Sequence, residues 1–405
     1  MTNCFTQNNI SIKVSSSYSI FRILIGAFLF LGVLPFNKGA LTFFASDSVG
    51  TIISYLFCAT ALLLVIFKFC TQPKSFDIFK DNGLLAICLF VFLGIILSSI
   101  GNTFSFQRIL SFFCFIIFYV FSFSFFKTEN ELLLSLGLSL TYLILLSLLL
   151  YYKNDVNVMY IASASEIDFK GVASNRNSFA EIALLNIVIF SYFLAKYRIK
   201  ILCFIVIAVS IFSIYLTKGA TSLICCILLL LFLILNKKIR FLINSKLFYF
   251  VIAAGFIIVF LKNVSLMRPF LNLFEKSDTL TGRTDIWDVS LKLFLDKPLF
   301  GYGYDMTVLL DRGFLENDPH NGILYILLTQ GFFGFAIFVF SIIYLVGDIK
   351  KGRDNLLVRC LFFFMLVWII RSFVESGYSY THFAFWVSAL MVFSQTRFRG
   401  RINEG

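Results

Sequence analysis

Charge is scarce in this sequence: 14% of its 405 residues are charged and 59% are hydrophobic, against roughly 25% and 45–50% in soluble domains. That ratio excludes a water-soluble globule. Proline (5) and glycine (23) are too few for a disordered, collagenous or linker-rich chain. Only 2 histidines are present, and neither belongs to an HExxH or a histidine cluster. No DxD pair, Walker loop, dinucleotide fingerprint or GxSxG elbow occurs, so the recognised motifs for metal, nucleotide and acyl chemistry are all missing. No metal and no cofactor is therefore expected, and the energy for any reaction has to come from the substrate. The 9 cysteines form no CxxC pair, and all but Cys4 fall in or beside apolar runs. They read as small buried apolar residues and not as a disulfide framework.

What the chain has in abundance is long apolar runs, enlarged by 54 phenylalanines. Crossing a bilayer core of about 30 Å at 1.5 Å per residue takes roughly 17–25 residues. Stretches approaching or meeting that length occur at about 18–35, 49–67, 83–100, 109–126, 131–152, 178–195, 199–217, 220–235, 247–261, 321–346, 356–374 and 380–395. The expected fold is all-α: a polytopic integral membrane protein of about 12 transmembrane helices, with no β-barrel alternation. The first run follows a polar segment and precedes many others, so it reads as a retained helix. Most of the 34 Lys and Arg fall in loops on the side of the amino terminus. By the positive-inside rule both termini are expected in the cytoplasm. The net charge of +12 is then an orientation signal, and no nucleic-acid partner is implied. Three regions follow: spans one to nine over 1–261, a large outer loop over 262–320, and the last three spans with a cytoplasmic tail over 321–405.

Polar chemistry gathers in the last third, while no repeat relates the two halves as an inverted-repeat transporter would. In the loop, Thr281-Gly282-Arg283-Thr284-Asp285-Ile286-Trp287-Asp288 opens a segment with Ile286, Val289 and Leu293 at helical spacing. It reads as an amphipathic helix on the outer membrane surface, N-capped by Thr281 or Thr284 and anchored by Trp287. Arg283 at its start suits an anionic ligand sharing the helix terminus, although a solvated Arg paired with Asp285 or Asp288 explains it equally simply. Pro298-Leu299-Phe300-Gly301-Tyr302-Gly303-Tyr304 alternates glycine with aromatics, which fits either a plain turn or close approach to a sugar or headgroup. Asp318-Pro319-His320-Asn321-Gly322 opens the tenth run, with Asn321 as N-cap. His320 at that outer mouth is able to accept a proton if its imidazole is neutral. His382 is the weaker histidine. Lys218, in the tight turn after Thr217, and Arg371, a turn before Glu375, are cations near membrane depth. Arg371 and Glu375 are also spaced as a simple i,i+4 pair. Arg268 and Arg176 are further loop cations. Several cations, one base and no metal suit a leaving group that is already an anion, such as a pyrophosphate.

Together, Gly282-Arg283-Thr284-Asp285-Ile286-Trp287, the Pro298–Tyr304 stretch, and Pro319-His320-Asn321-Gly322-Ile323-Leu324 with Gly331 and Gly334 resemble the O-antigen ligase and polymerase superfamily of bacterial envelope glycan synthesis. The resemblance implies glycosyl transfer from an undecaprenyl-pyrophosphate-linked glycan to an acceptor hydroxyl, on the periplasmic side of the bacterial inner membrane. It implies a loop histidine, matched by His320, as general base, and a loop arginine, matched by Arg283. A second cation beside a transmembrane turn is Ser-Arg-Gly in the ligases and Thr217-Lys218-Gly219 here, so the bidentate fork toward phosphate is lost. That substitution and the Gly-Arg-Thr-Asp-Ile-Trp form of the loop are closer to the polymerases. Expected partners are the lipid-linked glycan, membrane lipid and a chain-length regulator protein. Arg283, Lys218, Arg371 and Arg268 are expected on the pyrophosphate. An O-antigen ligase is the alternative reading; a lipid-linked oligosaccharide flippase and a noncatalytic scaffold are the rivals from other classes.

Overall fold

A computed structural model describes residues 17–33, 47–71, 125–163, 166–173, 176–197, 200–235, 283–303, 307–314, 318–351, 355–373 and 375, with short pieces at 89, 92–93, 96–97, 121–122, 246–247 and 249–254. Nine principal helices carry these residues: α1 (Ser17–Val33), α2 (Asp47–Thr71), α3 (Glu129–Tyr152), α4 (Arg176–Lys196), α5 (Lys200–Leu216), α6 (Ala220–Leu235), α7 (Arg283–Asp296), α8 (Gly322–Lys351) and α9 (Leu356–Arg371). Among the described residues, three helices are long and apolar enough to cross a membrane: α3, α4 and Gly322–Gly347 within α8. α5 and α6 are shorter apolar helices, as are parts of α1 and α2. The apolar runs expected at 83–100, 109–126, 247–261 and 380–395 fall largely outside the described residues, as do Arg268, His382 and Thr281. A small departure from the all-α expectation is an antiparallel hairpin, β1 (Met159–Ser163) with β2 (Glu166–Phe169), in the connection between α3 and α4.

Apart from the amphipathic α7, these helices are apolar over most of their surface, as helices set in a membrane are. Large side chains such as Ile201, Phe204, Tyr215 and Ile227 face outward from α5 and α6. Burial in such a bundle selects small and polar contacts, because lipid competes equally well for leucine. α3 packs beside α1 through Ser135 Oγ and Ser139 Oγ, which donate to the carbonyls of Ile23 (3.0 Å) and Ala27 (2.7 Å). Across the centre, Asn186 Nδ2 of α4 donates to Ser210 Oγ of α5 (3.1 Å) and to Thr141 Oγ1 of α3 (3.2 Å). α4 is the innermost helix, with an unbroken buried run from Phe179 to Phe190.

The helix directions sort the charged ends onto two sides. Arg22 of α1 pairs with Glu131 at 2.6 Å, and Lys196 at the end of α4 pairs with Glu129 at 3.3 Å, so α3 runs parallel to α1 and antiparallel to α4. The opposite end collects the hairpin, the start of α4, the Lys218 turn, the start of α8 and the end of α9. All described candidate cations therefore share one end with His320.

α8 is not one continuous helix. Gly331 has φ 63° and ψ −161°, a region essentially restricted to glycine. The broken helix frees backbone groups that hydrocarbon cannot satisfy. The Pro298–Gly303 segment supplies the partners: Tyr302 N and Gly303 N donate to the carbonyls of Leu328 and Thr329 (2.7 Å each), while Phe332 N and Phe333 N donate to those of Pro298 (2.8 Å) and Leu299 (3.1 Å). The alternating glycines are thus explained by backbone approaching backbone. A Cβ on Gly301 would collide with the Leu328 carbonyl, and one on Gly331 with the Leu299 carbonyl. Gly331→Ala is expected to destabilise the fold by at least ~1–3 kcal/mol from backbone strain alone, read as lower thermal stability of the detergent-solubilised protein.

Candidate functional site

The last turn of α9 is the hub of the polar end. Arg371 is 2% exposed, and its Nη1 donates to Glu181 Oε1 of α4 at 2.9 Å while Nη2 reaches the Asn177 carbonyl at 3.4 Å. Its guanidinium also stands 4.7 Å over the Trp368 ring. Immediately beyond, the Ser372 carbonyl accepts from Gly322 N (2.7 Å) and the Phe373 carbonyl from Asn321 Nδ2 (2.8 Å). These bonds dock the opening of α8 onto the end of α9. Glu375 follows, with its backbone N–H on the Arg371 carbonyl (3.1 Å) and Oε2 at 4.0 Å from His320 Nδ1. The i,i+4 spacing of Arg371 and Glu375 suggested a simple pair. In the fold, Arg371 pairs with Glu181, and the carboxylate of Glu375 faces His320.

His320 is fixed by its own loop. Its backbone has φ 49°, and its N–H donates to Asp318 Oδ1 at 2.7 Å. Asn321 caps α8 as expected, its Oδ1 accepting from Ile323 N and Leu324 N at 3.0 Å each. Residue 319 is clamped from the other side: Trp287 Nε1 of α7 donates to the Pro319 carbonyl at 2.8 Å. Trp287 is buried, so it anchors α7 to the histidine loop; the expected role at the membrane interface does not fit. α7 begins at Arg283, which places Thr284 inside the helix and not at its N-cap. Its apolar stripe is used against protein. Leu293 packs with Leu309 and Leu328, flanked by Ile286, Val289 and Tyr325.

Lys218 occupies the turn between α5 and α6, with φ 49° and a side chain 63% exposed. Its Nζ stands 3.6 Å from Asp168 Oδ1, and Asp168 Oδ2 is bound by Nη1 of Arg176. Asp168, 3% exposed on its side chain, thus brings together two cations from distant loops. Arg176 opens α4 one residue before Asn177, whose carbonyl contacts Arg371, so this cluster adjoins the α9 hub. The sequence reading missed Asp168 and Glu181. Glu181 carried a usable signal, an acid within an apolar run; Asp168 carried none, because its importance comes from a hairpin of ordinary composition. Among the described residues, no group of three or more His, Cys, Asp or Glu side chains converges as a metal site would.

In comparison with known proteins, residues 204–339 match the family model described as O-antigen ligase. No curated protein matches the chain. The matched segment contains the Lys218 turn, α7, the Pro298–Gly303 segment, His320 and the break at Gly331. Arg176, Glu181, Arg371 and Glu375 lie outside it and come to the site through the fold.

Truncating one member of a buried ion pair leaves the other charge unpaired, at a cost of ~3–5 kcal/mol. Glu181→Ala and Arg371→Ala are each expected to reduce thermal stability or membrane accumulation sharply, whereas the double Glu181→Leu, Arg371→Met variant loses much less. Comparable losses in the single and double variants, measured as melting temperatures in detergent, would contradict this.

Proposed function

We propose that this chain, whose residues 204–339 match the family model described as O-antigen ligase, is a membrane glycosyltransferase of the O-antigen polymerase and ligase superfamily that polymerises lipid-pyrophosphate-linked oligosaccharide repeats. The observation that carries the reading is His320 at the mouth of α8, held from both sides by Trp287 and α9 and faced by Glu375 at 4.0 Å. A histidine so restrained can act as a general base, a contribution of typically 10²–10⁴ in rate.

In the proposed reaction the acceptor hydroxyl of one repeat attacks the anomeric carbon of another. The new C–O bond forms as the bond to the pyrophosphate breaks. His320 takes the hydroxyl proton on Nε2, while Glu375 steadies the imidazolium through the Nδ1 side. Displacement in one step inverts the anomeric centre. The leaving undecaprenyl pyrophosphate is already an anion and needs no protonation. Cations stabilise the charge developing on it, the kind of electrostatic assistance that is often the largest single contribution. Arg283 at the start of α7 and Lys218 are assigned this contact, with Arg268 assisting. Arg371, buried in its pair with Glu181, serves the site by holding α9 and Glu375 in place. The site faces the periplasm in this reading, both termini are cytoplasmic, and a chain-length regulator is the natural protein partner.

The polymerase assignment rests on Thr217-Lys218-Gly219 and on the Gly-Arg-Thr-Asp-Ile-Trp form of the loop. The description of the matching family favours a second reading, a ligase transferring finished glycan to lipid A-core. A cell-envelope gel of the deletion strain separates them: single-repeat lipopolysaccharide marks a polymerase, and loss of all attached glycan with lipid-linked polymer accumulating marks a ligase. His320→Ala, expressed at wild-type level in that strain, is expected to abolish polymer; wild-type polymer from this variant would sink the catalytic assignment. Glu375→Gln is expected to lower kcat about 10-fold or more while leaving donor KM near wild type, since it acts on the base and not on donor binding.

A further inference from the structure

Trp287, the expected membrane anchor of α7, is buried against the histidine loop. Exposed aromatic surface lies at the other end of α7 instead. Phe300 and Phe333 stack with ring centroids 5.0 Å apart and planes 9° from parallel, and each is roughly half exposed. Leu295, Leu299 and Phe332 beside them are more exposed still. We propose that this corner, made by the end of α7, the Pro298–Phe300 turn and Phe332–Phe333 just past the break in α8, is seated among phospholipid acyl chains in the leaflet on the His320 side. It is the membrane anchor of the loop that carries α7. The proposal goes beyond the reaction above and does not depend on it.

The corner continues a surface that a membrane span presents to lipid. Along the membrane-length part of α8, Phe332, Phe333, Phe340 and Ile343 are exposed, while Phe338, Ile342 and Leu345 enter the bundle core. Phe300, lying flat on Phe333, extends that stripe from the helix onto the turn, and Leu299 and Leu295 carry it to α7. A contiguous apolar patch of this kind marks an interaction surface. Its continuity with the exposed side of α8 identifies the partner as lipid. Length sets the depth. The membrane-length part of α8 ends at Gly347, before Asp348, Lys350 and Lys351. Residues 332–347 rise about 24 Å at 1.5 Å per residue, so the break at Gly331 falls about 6 Å short of the far side of a hydrocarbon layer about 30 Å thick. Elements that lie in a membrane interface are buried about 5–10 Å at the headgroup and acyl boundary, which is the depth this geometry gives the Phe300–Phe333 pair. The polar neighbours agree. Asp296 and Lys297, exposed beside Leu295, form the rim where headgroups begin. Lys297 Nζ stands 4.6 Å over the Tyr302 ring, its stem along apolar surface as in a snorkelling lysine. Immersion is eased because the carbonyls of Pro298 and Leu299 already accept from Phe332 N and Phe333 N, so they need no water.

The test places the photo-crosslinker p-benzoylphenylalanine in turn at Phe300, Phe332 and Asp311 of the full-length protein, in liposomes of phosphatidylethanolamine and phosphatidylglycerol, and identifies adducts by mass spectrometry. Phospholipid adducts are expected at Phe300 and Phe332 and not at Asp311, an exposed charged position that serves as the water-facing reference. Absence of phospholipid from both aromatic positions would overturn the anchor, as would equal labelling at Asp311. A crosslinked dimer as the main product would overturn it too, by marking a contact between copies of the chain. An adduct that forms only when undecaprenyl pyrophosphate is added would replace the anchor with a site for that lipid's tail. A second arm needs no crosslinker. Phe300→Leu is expected to keep the wild-type melting temperature in nanodiscs of the same lipids, and Phe300→Asp to lower it by several degrees, because a carboxylate is costly among acyl chains. Equal melting temperatures for the two variants would place the corner in water and refute the proposal.

Discussion

A buried ion pair organises this protein. Removing two charges from water is costly, and the cost is recovered only when they meet each other with their remaining groups satisfied. Glu181 and Arg371 meet at 2.9 Å, and Arg371 Nη2 also reaches the backbone carbonyl of Asn177, while its Nε has no hydrogen-bond partner among the described residues. That requirement fixes the end of α9 against the first turns of α4. Once α9 is fixed, its last carbonyls receive Asn321 and Gly322, which in turn decide where His320 stands. The histidine is therefore positioned from the bundle interior as well as from its own loop.

The second organising constraint is the break in α8. An uninterrupted helix would need no neighbour for its backbone; an interrupted one in an apolar setting needs a specific one. The Pro298–Gly303 segment fulfils that need, and by doing so it holds α7 close enough for Trp287 to reach the Pro319 carbonyl. The glycines that resembled a ligand cradle serve this backbone pairing, and the apolar stripe of α7 serves protein contacts. The same end of the bundle carries a histidine, a facing carboxylate and the partly exposed cations Arg176 and Lys218 beside α4 and α5.

Much of this was legible in the sequence, for identifiable reasons. Long apolar runs have almost no stable outcome other than helices that satisfy their own backbone, so α3 to α6 and α9 appear within a few residues of their expected bounds. Asn321 before an apolar run has one strong local role, and it fills it. Tryptophan was less transparent. Trp287 is equally suited to a membrane interface and to a buried hydrogen bond, and only the position of Pro319 selects the second. The same ambiguity covers Arg371 and Glu375, whose spacing permits a local pair that a partner on another helix displaces.

Composition, periodicity and motif order thus determined that the chain is an apolar helical membrane protein and that Asn321, beside His320, caps a helix opening there. These are properties of one segment at a time, set by backbone satisfaction and hydrophobic burial. Tertiary structure alone decided the pairings: Glu181 with Arg371, Glu375 facing His320, and Asp168 between Arg176 and Lys218. Each joins residues from separate elements whose mutual distance depends on how helices pack, and a low-dielectric interior makes such pairings few and specific.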